Sequence, residues 1–183
     1  MIPPLFRTPD PTIAALYGAI VAQARDARFY QAYAVPDTVL GRFDLLLLHL
    51  SLLLRRLREG DAAMRTLAQG VFDEFCRDMD RNLREMGISD PGVPRQMQKV
   101  GEAFYGRAQA YDVALAANAD GSLAQALIRN VYAGATGHDM AAARFAAYVR
   151  QVVETLDAQP LEQLVCGMLR FPEPVIALAP AAE

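Results

Sequence analysis

The chain of 183 residues contains no tryptophan, one lysine, two cysteines and two histidines. Cys76 and Cys166 lie far apart, each within an apolar helical pattern, so we expect free thiols rather than a disulfide or a metal pair. Neither His49 nor His138 has a Glu three residues before it, which excludes the Glu-x-x-His pairs of a di-iron bundle. The sequence also lacks a Gly-rich phosphate loop and the GxSxG, CxxC and HExxH motifs. It therefore shows no catalytic constellation and predicts no metal and no cofactor.

Excess positive charge and long apolar runs are missing as well. The formal net charge is −3, which argues against a nucleic-acid partner. The most apolar stretch, residues 45–54, is interrupted by His49 and Ser51 and is about half the length that a membrane span needs. Residues 1–12 show neither a secretory signal nor an Arg/Ser-rich leader. We therefore expect a cytoplasmic protein that is attached to a membrane peripherally at most.

The most distinctive segment is a leucine-rich stretch, residues 39–59, that is predicted to form one helix. Asp37 or Thr38 can cap its start, and Gly60 follows its end. A broad apolar face and an opposite stripe (Leu45, Leu48 and Leu52) share this helix; the broad face comprises Phe43, Leu46, Leu47, Leu50, Leu53, Leu54 and Leu57. His49 and Arg56 lie in a polar seam between them. Because a helix that is apolar on two opposite sides must be covered on both, we predict that it is the buried centre of the fold.

Helical periodicity continues through most of the chain. It predicts further helices over about 11–29, 62–85, 95–117, 123–132, 139–158 and 160–169, and no segment alternates with the period of a strand. The sequence thus predicts a single all-α domain, residues 1–183, of about seven helices. Its Pro-rich ends, 1–9 and 171–183, are predicted to be extended.

Two tyrosines and an arginine within 103–111 (AFYGRAQAY) are the candidates for a partner surface. Tyr and Arg are the side chains that most often anchor interfaces, so we predict that Tyr105, Arg107 and Tyr111 lie at or beside such a surface. The alternative is that Arg107 packs over the domain and pairs with Glu102 or Asp112.

Four segments, in the same order, resemble the ubiquinol–cytochrome c chaperone family: GRFDLLLLHLSLLLRRL (41–57), FDEFCRDMDRNLREMG (72–87), AFYGRAQAYDVAL (103–115) and ALIRNVY (126–132). The resemblance covers about residues 28–132, and the chain is similar to the shorter, bacterial members. It implies a non-enzymatic assembly factor for the cytochrome bc1 complex that binds newly made cytochrome b or another unassembled bc1 subunit.

Two other functions stay open at this stage, and each predicts a different structure. A carrier of haem or a quinone-like lipid requires an enclosed apolar cavity that reaches His49. An enzyme with a dispersed site requires a cleft where titratable groups with perturbed pKa values converge. A chaperone of a membrane protein requires instead an open apolar groove or patch.

Overall fold

The structure, a computed structural model, describes residues 10–117 and 121–175. These residues form eight helices and no strand: α1 Pro11–Ala24, α2 Arg28–Ala32, α3 Val39–Arg58, α4 Ala62–Glu85, α5 Val93–Ala116, α6 Ser122–Asn130, α7 Asp139–Ala158 and α8 Leu161–Val165. The prediction of one compact all-α domain is confirmed. The predicted extended ends fall largely outside the described residues, which include only 171–175 of them.

The first predicted helix is divided in two. α1 ends at Ala24, whereas periodicity predicted a helix up to about Phe29. The side chain of Asp26 accepts a hydrogen bond at 2.9 Å from the backbone N–H of Arg28, the first residue of the separate helix α2. This short polar turn interrupts the apolar pattern, and periodicity alone does not detect it.

The start of α3 is fixed by a side-chain cap and a close backbone contact. The Thr38 hydroxyl accepts from the N–H of Gly41 at 3.1 Å. A Cβ at Gly41 would lie 2.0 Å from the carbonyl oxygen of Pro36, so this position requires glycine. The segment before α3 therefore packs tightly against its first turn.

α3 divides the core into two clusters, as its two apolar faces predict. Leu45, Leu48 and Leu52 pack into a cluster with side chains of α2, α5, α6 and α7. The opposite face contributes Leu47, Leu50, Leu53 and Leu57 to a second cluster with α1, α4, α5 and α8. The prediction of a buried central helix is confirmed.

Beyond α8, residues 168–175 form a C-terminal segment without regular secondary structure that returns across the domain. The Gln159 amide donates to the carbonyl oxygen of Met168 at 2.7 Å, and its carbonyl accepts from the N–H of Arg170 at 3.2 Å. Gln23 of α1 donates to the carbonyl oxygen of Pro172 at 3.1 Å. The segment therefore ties α1 to the C-terminal end of α7.

Candidate functional site

The broad apolar face of α3 extends past the helices that cover it. Leu50 and Leu53 are fully buried, whereas Phe43 and Leu46 are half-buried and Leu40 is 55% exposed. α1 ends at Ala24 and α4 ends at Glu85, and the end of each lines the space beside the first turns of α3. The N-terminal part of this face is consequently open to solvent.

This open region is a groove with a volume of about 1120 Å³. Val39, Leu40 and Met86 expose 83%, 55% and 65% of their surface there. Its apolar lining consists of Val21, Ala24, Ala27, Tyr30, Val39, Leu40, Phe43, Leu46, Met79, Leu83, Met86 and Val100. The groove therefore presents an apolar surface built by the ends of α1, α3 and α4, by α2 with the preceding Ala27, and by α5.

Charged side chains surround this apolar surface. Arg42 pairs with Asp37 at 2.8 Å. Asp78 accepts a hydrogen bond from the Tyr17 hydroxyl at 2.8 Å and also pairs with Arg81. The remaining two charges that line the groove are Arg25 and Glu85.

The three residues predicted for a partner surface take up different environments on α5. Tyr105 is 63% exposed, with its ring 5.9 Å from that of Phe72 on α4. Arg107 pairs with Asp44 of α3 at 2.8 Å, rather than with Glu102 or Asp112. Tyr111 is 1% exposed and belongs to the core. Only Tyr105 is thus presented to solvent.

Asp44 is a buried carboxylate for which the sequence predicted no functional role. Burial raises its pKa to about 6, although the positive charge of Arg107 acts in the opposite direction. Burial and the nearby carboxylate of Asp44 raise the pKa of Tyr111 above its ordinary value. Asp44, Arg107 and Tyr111 thus form one polar cluster inside the contact between α3 and α5, and not in a solvent-accessible cleft.

His49 is completely buried, and both of its ring nitrogens are hydrogen-bonded within the chain. Nδ1 lies 2.8 Å from the carbonyl oxygen of Leu45, which can only accept, so Nδ1 carries the proton. Nε2 then accepts from the Tyr148 hydroxyl at 3.0 Å. Burial lowers the pKa of His49 to about 4, which keeps the ring neutral. The ring of Phe171 covers it at 5.3 Å between centroids.

Arg56, the other residue of that polar seam, joins α3 to the end of α7. Its Nε donates to the carbonyl oxygen of Leu156 at 2.9 Å, and a terminal nitrogen donates to that of Gln159 at 3.4 Å. An arginine that satisfies the last carbonyls of a neighbouring helix stabilises the packing of the two helices. Arg56 therefore has a structural role in this seam.

Residues 10–117 and 121–175 contain no group of three or more His, Cys, Asp or Glu side chains that could hold a metal ion. In the same residues, no helix is long and apolar enough to cross a membrane.

The sequence model of the family described as Ubiquinol-cytochrome C chaperone matches residues 31–171. The chain belongs to this family. The match extends beyond residue 132, where the resemblance based on short segments ended, and it includes α3 and the first half of the C-terminal segment.

Two relatives agree with this membership. The Ubiquinol-cytochrome-c reductase complex assembly factor 1 of Xenopus laevis is 26% identical over 155 residues, which are 84% of this chain and 77% of that protein. The crystal structure of the Cbp3 homolog from Brucella abortus is 41% identical and covers 89% of this chain and 90% of its own, with a TM-score of 0.80. The similarity to a bacterial protein over almost the whole chain agrees with the predicted bacterial type.

Proposed function

We propose that this protein is a non-enzymatic assembly chaperone of the cytochrome bc1 complex and that it binds newly made cytochrome b. Family membership supports the assembly function, as does a relative that is named for assembly of ubiquinol–cytochrome c reductase. The observation that carries the proposal is the groove at the uncovered end of the leucine-rich face.

The groove suits an unassembled membrane subunit for three reasons. Its volume of about 1120 Å³ exceeds the roughly 300–1,000 Å³ of most small-molecule sites. Its lining is largely apolar, which matches helices that would otherwise be exposed to water before assembly. Met79 and Met86 add flexible, polarizable side chains that adapt to different partner shapes.

The same structure disfavours the two other functions. His49 is hydrogen-bonded through both nitrogens, so haem ligation would require both of these bonds to rearrange. Asp44 and Tyr111 have raised pKa values, but both are buried at the contact between two helices. Burial explains these shifts without any substrate.

The proposal also includes a location and a second contact. A chaperone of cytochrome b acts beside the inner membrane, so we expect a cytoplasmic protein that attaches to it peripherally. Tyr105 is proposed to extend the partner surface on α5, while Arg107 and Tyr111 support it from within the domain.

The proposal is tested in a deletion strain and in the same strain complemented with the wild-type chain or with a chain that carries a photo-crosslinking amino acid at position 40. We expect the deletion strain to contain less assembled bc1 on native gels than the complemented strain. We expect the probe at Leu40 to capture cytochrome b. A probe at Met140, which is exposed on α7 and does not line the groove, is the control. Normal bc1 levels in the deletion strain would refute the function, and equal capture at both positions would refute the site.

A further inference from the structure

Two opposite charges line the groove without forming an ion pair in the described part of the chain. Arg25 is the C-cap residue of α1, and Glu85 is the last residue of α4. The other charged residues of the lining, Asp37, Arg42 and Asp78, all have partners. Arg25 and Glu85 come from different helices and do not pair with each other, so both remain available to a partner.

The walls of the groove are helix faces, and this determines which kind of partner fits. A partner in extended conformation would bind by adding to a sheet edge, and residues 10–117 and 121–175 contain no strand to extend. An amphipathic helix binds instead by placing apolar side chains spaced three or four residues apart into an apolar groove. The exposed side chains of Val39, Leu40 and Met86 offer such a surface.

We propose that the groove binds an amphipathic α-helix whose apolar face is bordered by an acidic residue on one flank and a basic residue on the other. The acidic flank pairs with Arg25 and the basic flank pairs with Glu85. This inference rests on the proposed function, because the helix is supplied by the client of the chaperone. It adds the class of segment that is recognised and the charges that select it.

Arg25 and Glu85 affect which helix binds more than they increase the affinity of binding. Exposed ion pairs contribute little stabilisation, and like charges in contact oppose binding, so their main effect is on specificity. A helix with two basic flanks would place one of them beside Arg25, and a helix with two acidic flanks would place one beside Glu85. A helix with one flank of each sign avoids both repulsions, and the two flank charges together fix its direction in the groove.

The test uses three fluorescein-labelled helical peptides of about 18 residues, or five turns. They share one apolar face and differ only in their flanks, which are both Lys, both Glu, or one of each. Fluorescence anisotropy with the full chain at low ionic strength should show the mixed peptide binding about three- to tenfold tighter than the others. High salt should reduce this difference, because exposed charges are screened.

Charge-reversed variants test the residues themselves. Arg25→Glu should make the Lys-flanked peptide bind best, and Glu85→Arg should make the Glu-flanked peptide bind best. The double variant again has one charge of each sign, so it should restore the preference for the mixed peptide. Because loss of folding cannot restore a preference, this recovery separates specific pairing from structural damage.

Arg95→Glu and Glu154→Arg are the matched controls, since both residues are exposed, do not line the groove and form no ion pair among the described residues. They should leave the order of the three peptides unchanged. Equal binding of all three peptides, or the same order in every variant, would overturn the inference. The inference would also be overturned if the photo-crosslinking probe at Leu40 captured a second copy of the chain or anionic lipid vesicles rather than the peptides. Capture of cytochrome b at Leu40 in cells would then still stand as evidence for the proposed function.

Discussion

Truncating leucines at two positions of α3 should separate the buried part of its broad face from the part that lines the groove. Leu50 is fully buried in the core cluster that α3 forms with α1 and α4, whereas Leu40 is 55% exposed. Both belong to the same helix and both are replaced by alanine, so intrinsic helix propensity changes little and equally. Any difference between the variants therefore reports the surroundings of the side chain.

The structure sets the size of the two effects. Leu50→Ala should lower the free energy of unfolding by about 2–5 kcal/mol, because it removes transfer free energy and leaves a cavity in a packed core. For a domain of this size, 1 kcal/mol corresponds to about 2–4 °C, so the melting temperature should fall by roughly 4–20 °C. Leu40→Ala should change stability by less than about 1 kcal/mol, since the side chain is largely hydrated in the folded state.

Urea and thermal unfolding followed by circular dichroism at the helical band measure both variants, and peptide binding or crosslinking measures the groove. We expect Leu50→Ala to lose stability and Leu40→Ala to remain stable but bind the client more weakly. A loss below 1 kcal/mol for Leu50→Ala would show that it is not a core residue. A Leu40→Ala variant that is destabilised as strongly as Leu50→Ala would show that the groove is part of the core.

Four further predictions concern the polar cluster and the surface. The folded-state pKa of Asp44, about 6, lies above its ordinary value of 3.8, so folding favours the protonated form and stability should fall by up to about 3 kcal/mol as pH rises from 4 to 7. Asp44→Asn should remove this part of the pH dependence in urea titrations, and an unchanged profile would contradict the assignment. Arg107→Ala should lower the free energy of unfolding by about 3 kcal/mol, because it leaves the buried carboxylate of Asp44 unpaired. Tyr105→Ala should keep the melting temperature of the wild type and lower bc1 levels in cells. Tyr105→Ala with normal bc1 levels would remove Tyr105 from the partner surface. Carbonate washing should release the protein from membranes, and retention in the pellet would contradict peripheral attachment.

The features that could be predicted from the sequence depend on neighbours along the chain. The cap at Thr38, the length of α3 and the assignment of its leucines to two faces follow from hydrogen bonds and periodicity within a few residues. The same periodicity places Tyr111 on the apolar stripe of α5, and the structure buries it. Fold class was accordingly predictable because it sums many such local signals.

The groove and the buried ion pair could not be predicted in this way. The partner of Asp44 is 63 residues away in the sequence, and no spacing rule connects α3 to the middle of α5. The groove depends on where α1 ends. The polar turn at Asp26 follows this end, although the apolar pattern predicts a helix that continues to Phe29. This break supplies Arg25 and Ala27 to the lining, so a helix continuing to Phe29 would not produce the same site.

α3 is subject to two opposing requirements along one face. Its C-terminal half must be covered completely, since Leu50, Leu53 and Leu57 stabilise the domain only when water is excluded from them. Its first turns must remain uncovered if they are to meet a client, although covering Val39 and Leu40 would increase stability and solubility. The N–H groups of its first turn lack partners within the helix, and Thr38 accepts from that of Gly41 without any covering helix. The cap therefore lets the apolar face extend beyond the core as an ordered helix, and the groove is the consequence of leaving that extension open.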